Sequence, residues 1–215
     1  MKIDQIASAD RIILVGYGAE GRSSHNFLKK RFPQAQFRFI ENITEPLELG
    51  ALSEVFIISP GIDRQKFCTN IPPNLQTSNT EIFFENLPIE HWKKIIGISG
   101  SKGKSTTTKF CADFLNEAGL NTKIGGNFGI PLLDLFDQLE GLDFIVAELS
   151  SFQLEHLQTS PKYAIFLNLF ADHLDRHGSM TKYLSAKRNL WNGAKKSADF
   201  LIVPRKHVQV ISEDS

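Results

Sequence analysis

The sequence is poor in cysteine, carries no excess charge and lacks long apolar runs. Its 215 residues include two cysteines, Cys68 and Cys111, whose separation does not fit a metal site. Basic and acidic side chains number 24 each, so net charge gives no general attraction to nucleic acid or to an anionic membrane. No apolar run approaches the roughly 20 residues of a membrane span, and the N-terminus, with Asp4 and Asp10, has no cleavable signal pattern. These absences predict a protein of a reducing cytoplasm that binds neither nucleic acid nor membrane.

What the sequence does contain is a regular alternation of apolar strands and helices, which predicts an α/β fold with parallel sheets. Three segments of the first part are strand-like, namely RIILVG, FRFIEN and EVFIIS. A helix between the first two places Phe27 and Leu28 inward and stops before Pro33. The alternation pauses around ENLPIEHWKK, so we predict a first domain over residues 1–93 and a second over residues 94–215.

The second part continues the alternation. Its strand-like segments are IIGISG, LDFIVAELS, KYAIFLNLF and ADFLIV. A helix that starts at Ser105 and ends at Gly119 has an apolar side, and SMTKYLSAKRNLW forms a later helix. The apolar side of the earlier helix consists of Phe110, Phe114, Leu115 and Ala118.

The loop after the first strand is rich in glycine. In GYGAEG, Gly16, Gly18 and Gly21 match the dinucleotide fingerprint between a strand and a helix. The glycines allow a tight turn and a close backbone approach, and the helix N-terminus attracts a phosphate. This pattern does not say which nucleotide binds: a nicotinamide site and a purely structural turn both remain open. Glu41, at the end of the second strand, would suit a ribose hydroxyl.

A second glycine-rich loop, GISGSKGKST, departs from the common phosphate loop G-x-x-x-x-G-K-[ST], because Ile98 stands where the first glycine is expected. Its backbone N–H groups can still face phosphate oxygens. Lys104 supplies a point charge and Ser105 a hydroxyl for magnesium. A plain glycine turn would not require Lys-Ser at this place, so we predict a nucleotide phosphate site. Its residues are Gly100, Ser101, Lys102, Gly103, Lys104, Ser105 and Thr106.

Two further segments carry candidate ligands. Glu148 ends an apolar strand, where it is either a cap or solvated edge, or the acid that meets the metal in a nucleotide-binding fold. In ADHLDRH, His173 and His177 stand four apart, a spacing that also occurs in zinc sites. Leu174 occupies the position where H-E-x-x-H has its glutamate, so a surface turn is the alternative to zinc.

Taken together, these segments resemble the Mur ligases and their folylpolyglutamate synthetase relatives. The shared segments are G-x-x-G-x-x-G-K-S at residues 97–105, GGNFGIP, AELSSFQLE and NLFADHLDRHGSMTKYLSAKRNLW, in the order and spacing of that family. VGYGAEGRS and SPGI resemble its N-terminal domain, so the resemblance covers nearly the whole chain. It implies a Rossmann-like UDP-sugar-binding domain followed by a P-loop NTPase-like α/β central domain that is incomplete at its C-terminal end.

The resemblance also implies a reaction. ELSSFQLE is typical of the members that add D-glutamate to UDP-N-acetylmuramoyl-L-alanine. In that reaction, ATP phosphorylates the substrate carboxylate, and the amino group of D-glutamate attacks the acyl phosphate. This is a step of peptidoglycan synthesis in the bacterial cytoplasm. We expect a monomer with these small-molecule partners, and with no nucleic-acid or membrane partner.

Catalytic roles are implied for four residues of the second part. Lys104 would hold the ATP phosphates, and Ser105 with Glu148 would hold one magnesium ion. His173 and Lys187 would serve a second magnesium position, with Lys187 as a carbamate made from carbon dioxide. A plain ammonium cannot ligate a cation, whereas carbamate oxygens suit magnesium. Without the resemblance, Lys187 would be an exposed helix lysine.

The resemblance further implies contacts with the UDP-sugar, in the first part and at its muramoyl end. These contacts are Gly16, Tyr17, Gly18, Ala19, Glu20, Gly21, Glu41, Ser59, Pro60, Gly61, Asn127, Ser150, Gln153 and His173. One departure concerns the end of the second strand, where the family often has an acid, a hydroxyl and a basic residue. This chain has Glu41, Asn42 and Ile43, so the basic partner at the uracil end is missing.

Length is the larger departure. Mur ligases have three domains, whereas this sequence of 215 residues ends within the second. A fragment, a truncated product and half of a split enzyme are all open, and we expect no ligase activity from these residues alone. A non-catalytic module that binds UDP-sugar or nucleotide is the alternative to an enzyme. A nicotinamide-dependent reductase is a third possibility, against which the phosphate loop and ELSSFQLE argue.

Overall fold

The structure of the protein is a computed structural model that describes residues 1–50 and 53–208. Its internal contacts divide the chain into two compact units, each with a parallel sheet and helices, which confirms the α/β prediction. The first unit comprises Met1–Asn86 and Pro131–Phe136, and the second comprises Leu87–Ile130 and the chain from Asp137 onward.

The division by contacts and the predicted boundary near residue 93 differ in position. Contacts place the division after Asn86, and they assign a short segment from the later part of the chain, Pro131–Phe136, to the first unit. No helix among the described residues is both long enough and apolar enough to cross a membrane.

The first unit contains a four-stranded sheet. Its elements are α1 (Ile3–Ala7), β1 (Arg11–Val15), α2 (Ala19–Arg31), β2 (Gln36–Ile40), β3 (Glu54–Ile58), α3 (Arg64–Phe67), β4 (Gln76–Thr77) and α4 (Asn79–Asn86). The strand order is β2-β1-β3-β4, and all pairs are parallel. β1 and β3 are buried almost throughout because helices cover a parallel sheet on both faces, and this is why both read as apolar runs.

The second unit contains a five-stranded parallel sheet. Apart from α7 (Leu132–Leu135), which belongs to the first unit, the remaining elements lie in this unit: α5 (Ile89–Trp92), β5 (Ile95–Ser99), α6 (Lys104–Glu117), β6 (Thr122–Gly126), β7 (Phe144–Glu148), α8 (Ser151–Leu154), β8 (Tyr163–Phe166), α9 (Leu174–His177), α10 (Met180–Arg188) and β9 (Phe200–Ile202). The order β6-β7-β5-β8-β9 puts β5 in the centre, between β7 and β8. The segments that follow β5, β7 and β8 therefore begin at one edge of the sheet, where ligands bind in such folds.

One strand of this sheet was missed by the sequence analysis. β6 lies at the edge and pairs in register with β7 over its whole length. Its sequence, TKIGG, is polar and ends in two glycines, so it has neither the apolar run nor the alternation that predicts a strand. Pairing with the apolar strand β7 places it in the sheet.

The predicted apolar side of the helix is wrong in three positions, because two phenylalanines and Ala118, just after α6, are exposed. Phe110 and Phe114 are 71% and 76% exposed. The buried residues of the helix are Thr108 and Ala112, and Leu115 packs against the core formed with Ile98 and Val146. Small side chains occupy the side of the helix that faces the sheet and let it lie close to the strands. The two phenylalanines lie on the other side and point to solvent.

The segment containing α7 belongs to the core of the first unit. Leu133 and Leu135 of α7 are buried, and Asp134 accepts a hydrogen bond of 2.7 Å from Ser23 of α2. The ring of Phe136 lies 5.3 Å from that of Phe27, centroid to centroid. Residues that are far apart in sequence thus complete the packing of α2. Phe27 itself is buried, which confirms the prediction that it faces inward.

Candidate functional site

The predicted phosphate loop joins the central strand β5 to helix α6 of the second unit. Gly103 caps the helix with φ +83°, a left-handed conformation that favours glycine. The helix is 14 residues long, and its first N–H groups, from Lys104 to Thr106, have no partner within the helix. Ser105 and Thr106 are exposed, so this end can meet an anion.

Asn168, just after β8, holds the first half of the loop. Its side-chain oxygen accepts from the backbone N–H groups of Ser101 and Lys102 at 3.1 and 2.9 Å, and its amide donates to the Lys102 oxygen at 2.9 Å. These two N–H groups are occupied by the protein in this structure. The N–H groups from Gly103 to Thr106 are therefore the ones available to the predicted phosphate.

Two lysines meet at the loop. Lys104 Nζ donates to the backbone oxygens of Gly100 and Ser101 at 3.1 and 3.0 Å. Lys187 Nζ, from α10, donates to the same Gly100 oxygen at 3.0 Å and to Ser99 Oγ at 3.4 Å. Lys187 is 1% exposed, so the view of it as a surface lysine is wrong. Burial and the nearby Lys104 charge lower its pKa to about 7, although Asp172 opposes the shift.

Glu148 lies at the end of β7, paired in register with Ile98 of β5, and is buried. Its Oε1 accepts from Asn127 Nδ2 at 2.7 Å. Its Oε2 is buried and has no hydrogen-bond partner among the described residues. Gly126 lets the two segments approach, because a Cβ there would lie 2.2 Å from the Glu148 backbone oxygen. The solvated-edge interpretation of Glu148 is therefore wrong.

His173 and His177 occupy different environments. His173 is half exposed and has φ +52°, and no other non-glycine residue of the described chain has a positive φ. His177 is buried, its Nε2 lies 3.0 Å from Ser151 Oγ, and its ring stacks on Phe152. Burial lowers the pKa of His177, which keeps its ring neutral. The residues 1–50 and 53–208 contain no group of three or more His, Cys, Asp or Glu that could hold a metal ion.

The predicted substrate residues Ser150 and Gln153 meet at the start of α8. Ser150 Oγ accepts from the Gln153 N–H at 3.3 Å, while Gln153 Oε1 accepts from the Ser150 N–H at 2.9 Å. This reciprocal capping box fixes both side chains at the carboxyl edge of the sheet, just after Glu148.

In the first unit, the structure brings the glycine-rich loop and the SPG segment together. Ser59 Oγ donates to the Gly16 oxygen at 2.7 Å, and the Gly16 N–H donates to Ile40 at 2.8 Å. A Cβ at Gly21 would lie 2.3 Å from the Gly16 oxygen, so the turn can form only with glycine there. The loop thus has the close backbone approach that phosphate binding requires.

Aromatic rings stand beside this loop. Tyr17 packs edge-on against Phe39, with 4.7 Å between ring centroids, and its hydroxyl lies 2.8 Å from His25 Nδ1. Glu41 follows β2 directly and is exposed. Of the predicted UDP-sugar contacts, four lie in the second unit, namely Asn127, Ser150, Gln153 and His173. The others lie in the first unit.

A cavity of about 450 Å³ opens beside the phosphate loop in the second unit. It is lined by Ser105, Thr106, Lys109, Phe110, Asp113 and Phe128. The two charged residues pair with each other at 2.5 Å, which leaves the cavity an apolar, aromatic wall with hydroxyl groups at its loop end.

Several residues of the site were missed by the sequence analysis. Asn168 had a detectable signal, a polar residue at the carboxyl end of a strand next to the loop. Tyr183 and Phe152 had none, because both lie within helices where an aromatic residue is ordinarily part of the core.

The Mur ligase middle domain matches residues 98–213. A UDP-N-acetylmuramoylalanine--D-glutamate ligase of Acetivibrio thermocellus is 44% identical over 115 residues, which cover 54% of this chain and 24% of that protein. The enzyme of the same name from Vibrio vulnificus is 32% identical over 221 residues, covering 90% and 47%. The chain thus spans less than half the length of these curated relatives.

Among solved structures, a UDP-N-acetylmuramate:L-alanyl-gamma-D-glutamyl-meso-diaminopimelate ligase from Neisseria meningitides superimposes with a TM-score of 0.53. The sequence identity is 16%, and the match covers 94% of this chain and 74% of that one. At this identity the similarity supports the fold alone.

Proposed function

Because this chain belongs to the Mur ligase family, we propose that it is the nucleotide- and UDP-sugar-binding part of a ligase that joins D-glutamate to UDP-N-acetylmuramoyl-L-alanine. The observation that carries the proposal is the phosphate loop, with Lys104 and Lys187 converging on the Gly100 oxygen. The names of the curated relatives support the choice of substrates. The setting is a cytoplasmic step of peptidoglycan synthesis.

In this proposal the second unit binds ATP. The N–H groups from Gly103 to Thr106 hold phosphate oxygens, and Lys104 leaves its bonds to the loop carbonyls to pair with the phosphates. The substrate carboxylate is a weak nucleophile that approaches a polyanion, so the contribution of these residues is charge neutralisation and alignment. Asn127, Ser150, Gln153 and His173 face the muramoyl end of the substrate.

The reaction has two group transfers. In the first, the bond between the terminal phosphorus and its bridging oxygen breaks, a carboxylate oxygen of the substrate bonds to that phosphorus, and ADP leaves. In the second, the amino nitrogen of D-glutamate attacks the acyl carbon, phosphate departs, and the nitrogen loses a proton. The product is an amide.

Magnesium fits the residues at the carboxyl edge. The buried Oε2 of Glu148, which has no hydrogen-bond partner in the part of the chain that the structure describes, is a suitable cation ligand, and with Ser105 it would hold one ion. His173 and Lys187 would serve a second position. Bound magnesium neutralises phosphate charge, which favours attack by an anionic oxygen.

Lys187 suits the carbamate role. An amine with a pKa of about 7 is partly uncharged at neutral pH, and only the uncharged amine adds to carbon dioxide. A C–N bond forms, a proton is released, and the product presents oxygens where the ammonium had none.

In the first unit, the loop from Gly16 to Gly21 and the segment from Ser59 to Gly61 bind the diphosphate of the UDP-sugar.

Calorimetric titration tests the proposal. The chain should bind magnesium ATP and UDP-N-acetylmuramoyl-L-alanine but not NAD, and Lys104→Ala should remove ATP binding alone. Lys93→Ala, an exposed lysine of the second unit outside the loop, is the control and should leave ATP binding unchanged. NAD binding without UDP-sugar binding would overturn the assignment. Phosphate release with both substrates and ATP tests turnover. Because these residues span less than half the length of the curated relatives, we expect no release from them alone, and turnover like that of an intact ligase would contradict this expectation.

A further inference from the structure

Tyr183, on α10, is the largest fully buried side chain among the described residues, with 1% exposure. Its hydroxyl lies 3.1 Å from Ser101 Oγ in the phosphate loop. A buried phenol hydroxyl needs a hydrogen-bond partner, and here the partner belongs to a loop 82 residues away in sequence.

The direction of this hydrogen bond follows from the other bonds of Ser101. Its Oγ donates its single proton to the Phe170 oxygen at 3.0 Å and accepts from the Phe170 N–H at 2.9 Å. A serine hydroxyl has one proton and two acceptor sites, so Tyr183 must be the donor to the remaining site. Burial raises the pKa of Tyr183, which keeps the phenol protonated as a donor.

These bonds hold the loop from two sides. Asn168 binds the backbone N–H groups of Ser101 and Lys102, while Phe170 and Tyr183 hold the Ser101 side chain. When the position of Ser101 is fixed, the backbone that follows it leads toward Gly103, which caps α6. Tyr183 is the one contributor from α10 to this arrangement of Ser101.

The ring of Tyr183 holds further parts of the site. Its centroid lies 4.7 Å from Lys187 Nζ and 5.2 Å from the ring centroid of His177. His177 in turn contacts Ser151, next to the predicted substrate residue Ser150. One side chain thus connects the phosphate loop, Lys187 and the start of α8.

We propose that Tyr183 is a positioning residue for nucleotide binding, which acts through Ser101 to keep the phosphate loop in the shape that receives phosphates. The proposal rests on the proposed function of that loop. Tyr183 takes no part in the chemistry, because its hydroxyl is engaged with Ser101 and its side chain is buried.

The test is a double-mutant cycle measured by calorimetric titration with magnesium ADP. Tyr183→Phe removes one donor and keeps the ring, so it should weaken ADP affinity about three- to tenfold. Ser101→Ala should weaken it by a similar factor, and the double variant should be no weaker than Ser101→Ala. Tyr163→Phe is the control: the Tyr163 hydroxyl makes no hydrogen bond with the part of the chain that the structure describes, and ADP affinity should not change.

A spectroscopic readout keeps the inference testable if a variant fails to fold. The chain has three tyrosines, so ¹³Cζ-labelled protein gives three resonances that Tyr17→Phe and Tyr163→Phe assign by elimination. Added ADP should shift the Tyr183 resonance and leave that of Tyr163 in place. If the parent binds no ADP, the proposed function fails and this inference with it. If the parent binds ADP while the Tyr183 resonance stays still, or the two substitutions weaken binding additively, the inference alone is overturned.

Discussion

Lys104 and Lys187 donate hydrogen bonds to the same atom, the backbone oxygen of Gly100, at 3.1 and 3.0 Å. Two ammonium groups at one carbonyl repel each other. Burial of Lys187, the larger cause, and this repulsion together lower its pKa to about 7. The proposed phosphate-binding lysine, Lys104, and the candidate carbamate lysine, Lys187, are therefore coupled before any ligand binds.

Removing the Lys104 charge should raise the pKa of Lys187. In Lys104→Ala we expect a value between about 7 and the ordinary 10.5, because burial, the larger cause of the shift, remains. NMR titration of the lysine side chains measures it. Lys109→Ala, an exposed lysine paired with Asp113 on the same helix, should leave the Lys187 titration where it is. An unchanged pKa in Lys104→Ala would show that the two amines are not coupled.

The pKa of Lys187 also predicts how stability depends on pH. The folded value lies below the unfolded one, so between about pH 7 and pH 10.5 the unfolded chain binds more protons and stability rises with pH. The slope reaches about 1.4 kcal/mol per pH unit within that window and vanishes below it. Lys187→Met should abolish this rise.

Urea unfolding of parent and Lys187→Met at several pH values, in buffers free of carbon dioxide, measures the difference. Trp92 and Trp191 both lie in the second unit and report on it by fluorescence. Comparing the two proteins cancels the titration of cysteine and tyrosine, which is common to both. Parallel pH profiles would contradict the assigned pKa.

Glu148→Gln should remove most of the stabilisation that magnesium adds in the presence of ADP. The substitution keeps the shape and the contact with Asn127 but loses the charge that a cation requires. Thermal unfolding with and without magnesium measures the effect. Glu117→Gln, an exposed glutamate at the end of α6, is the control and should behave like the parent. An equal magnesium effect in all three proteins would exclude Glu148 as a ligand.

Leu135→Ala should destabilise the first unit by about 2–5 kcal/mol, because the side chain is fully buried and leaves a cavity. Hydrogen exchange should accelerate at the amides of α2 and α4, against which α7 packs. Phe114→Ala removes a larger side chain that is 76% exposed and should change stability by no more than about 0.5 kcal/mol. Equal costs at the two positions would mean that α7 is not part of this core.

Much of the fold was accessible from the sequence. The apolar runs of β1, β3, β5, β7 and β8 and the glycine-rich turns after β1 and β5 specify an α/β chain, because buried parallel strands need apolar side chains on both faces. The edge strand β6 and the helix α7 were not accessible. β6 owes its conformation to β7, and α7 owes its place to a core built from the first part of the chain.

By itself, the sequence determined the loop in which a phosphate site is predicted, since Gly103, Lys104 and Ser105 between a strand and a helix constrain the local backbone and its N–H groups. Only the tertiary structure decided which side chains hold that loop. Asn168, Tyr183 and Lys187 reach it from 66, 82 and 87 residues away along the chain. Their meeting depends on the order of β7, β5 and β8 in the sheet and on the packing of α10, and a linear pattern contains neither. The exposure of Phe110 and the burial of Lys187 have the same origin, because burial depends on what lies opposite a helix as well as on its residues.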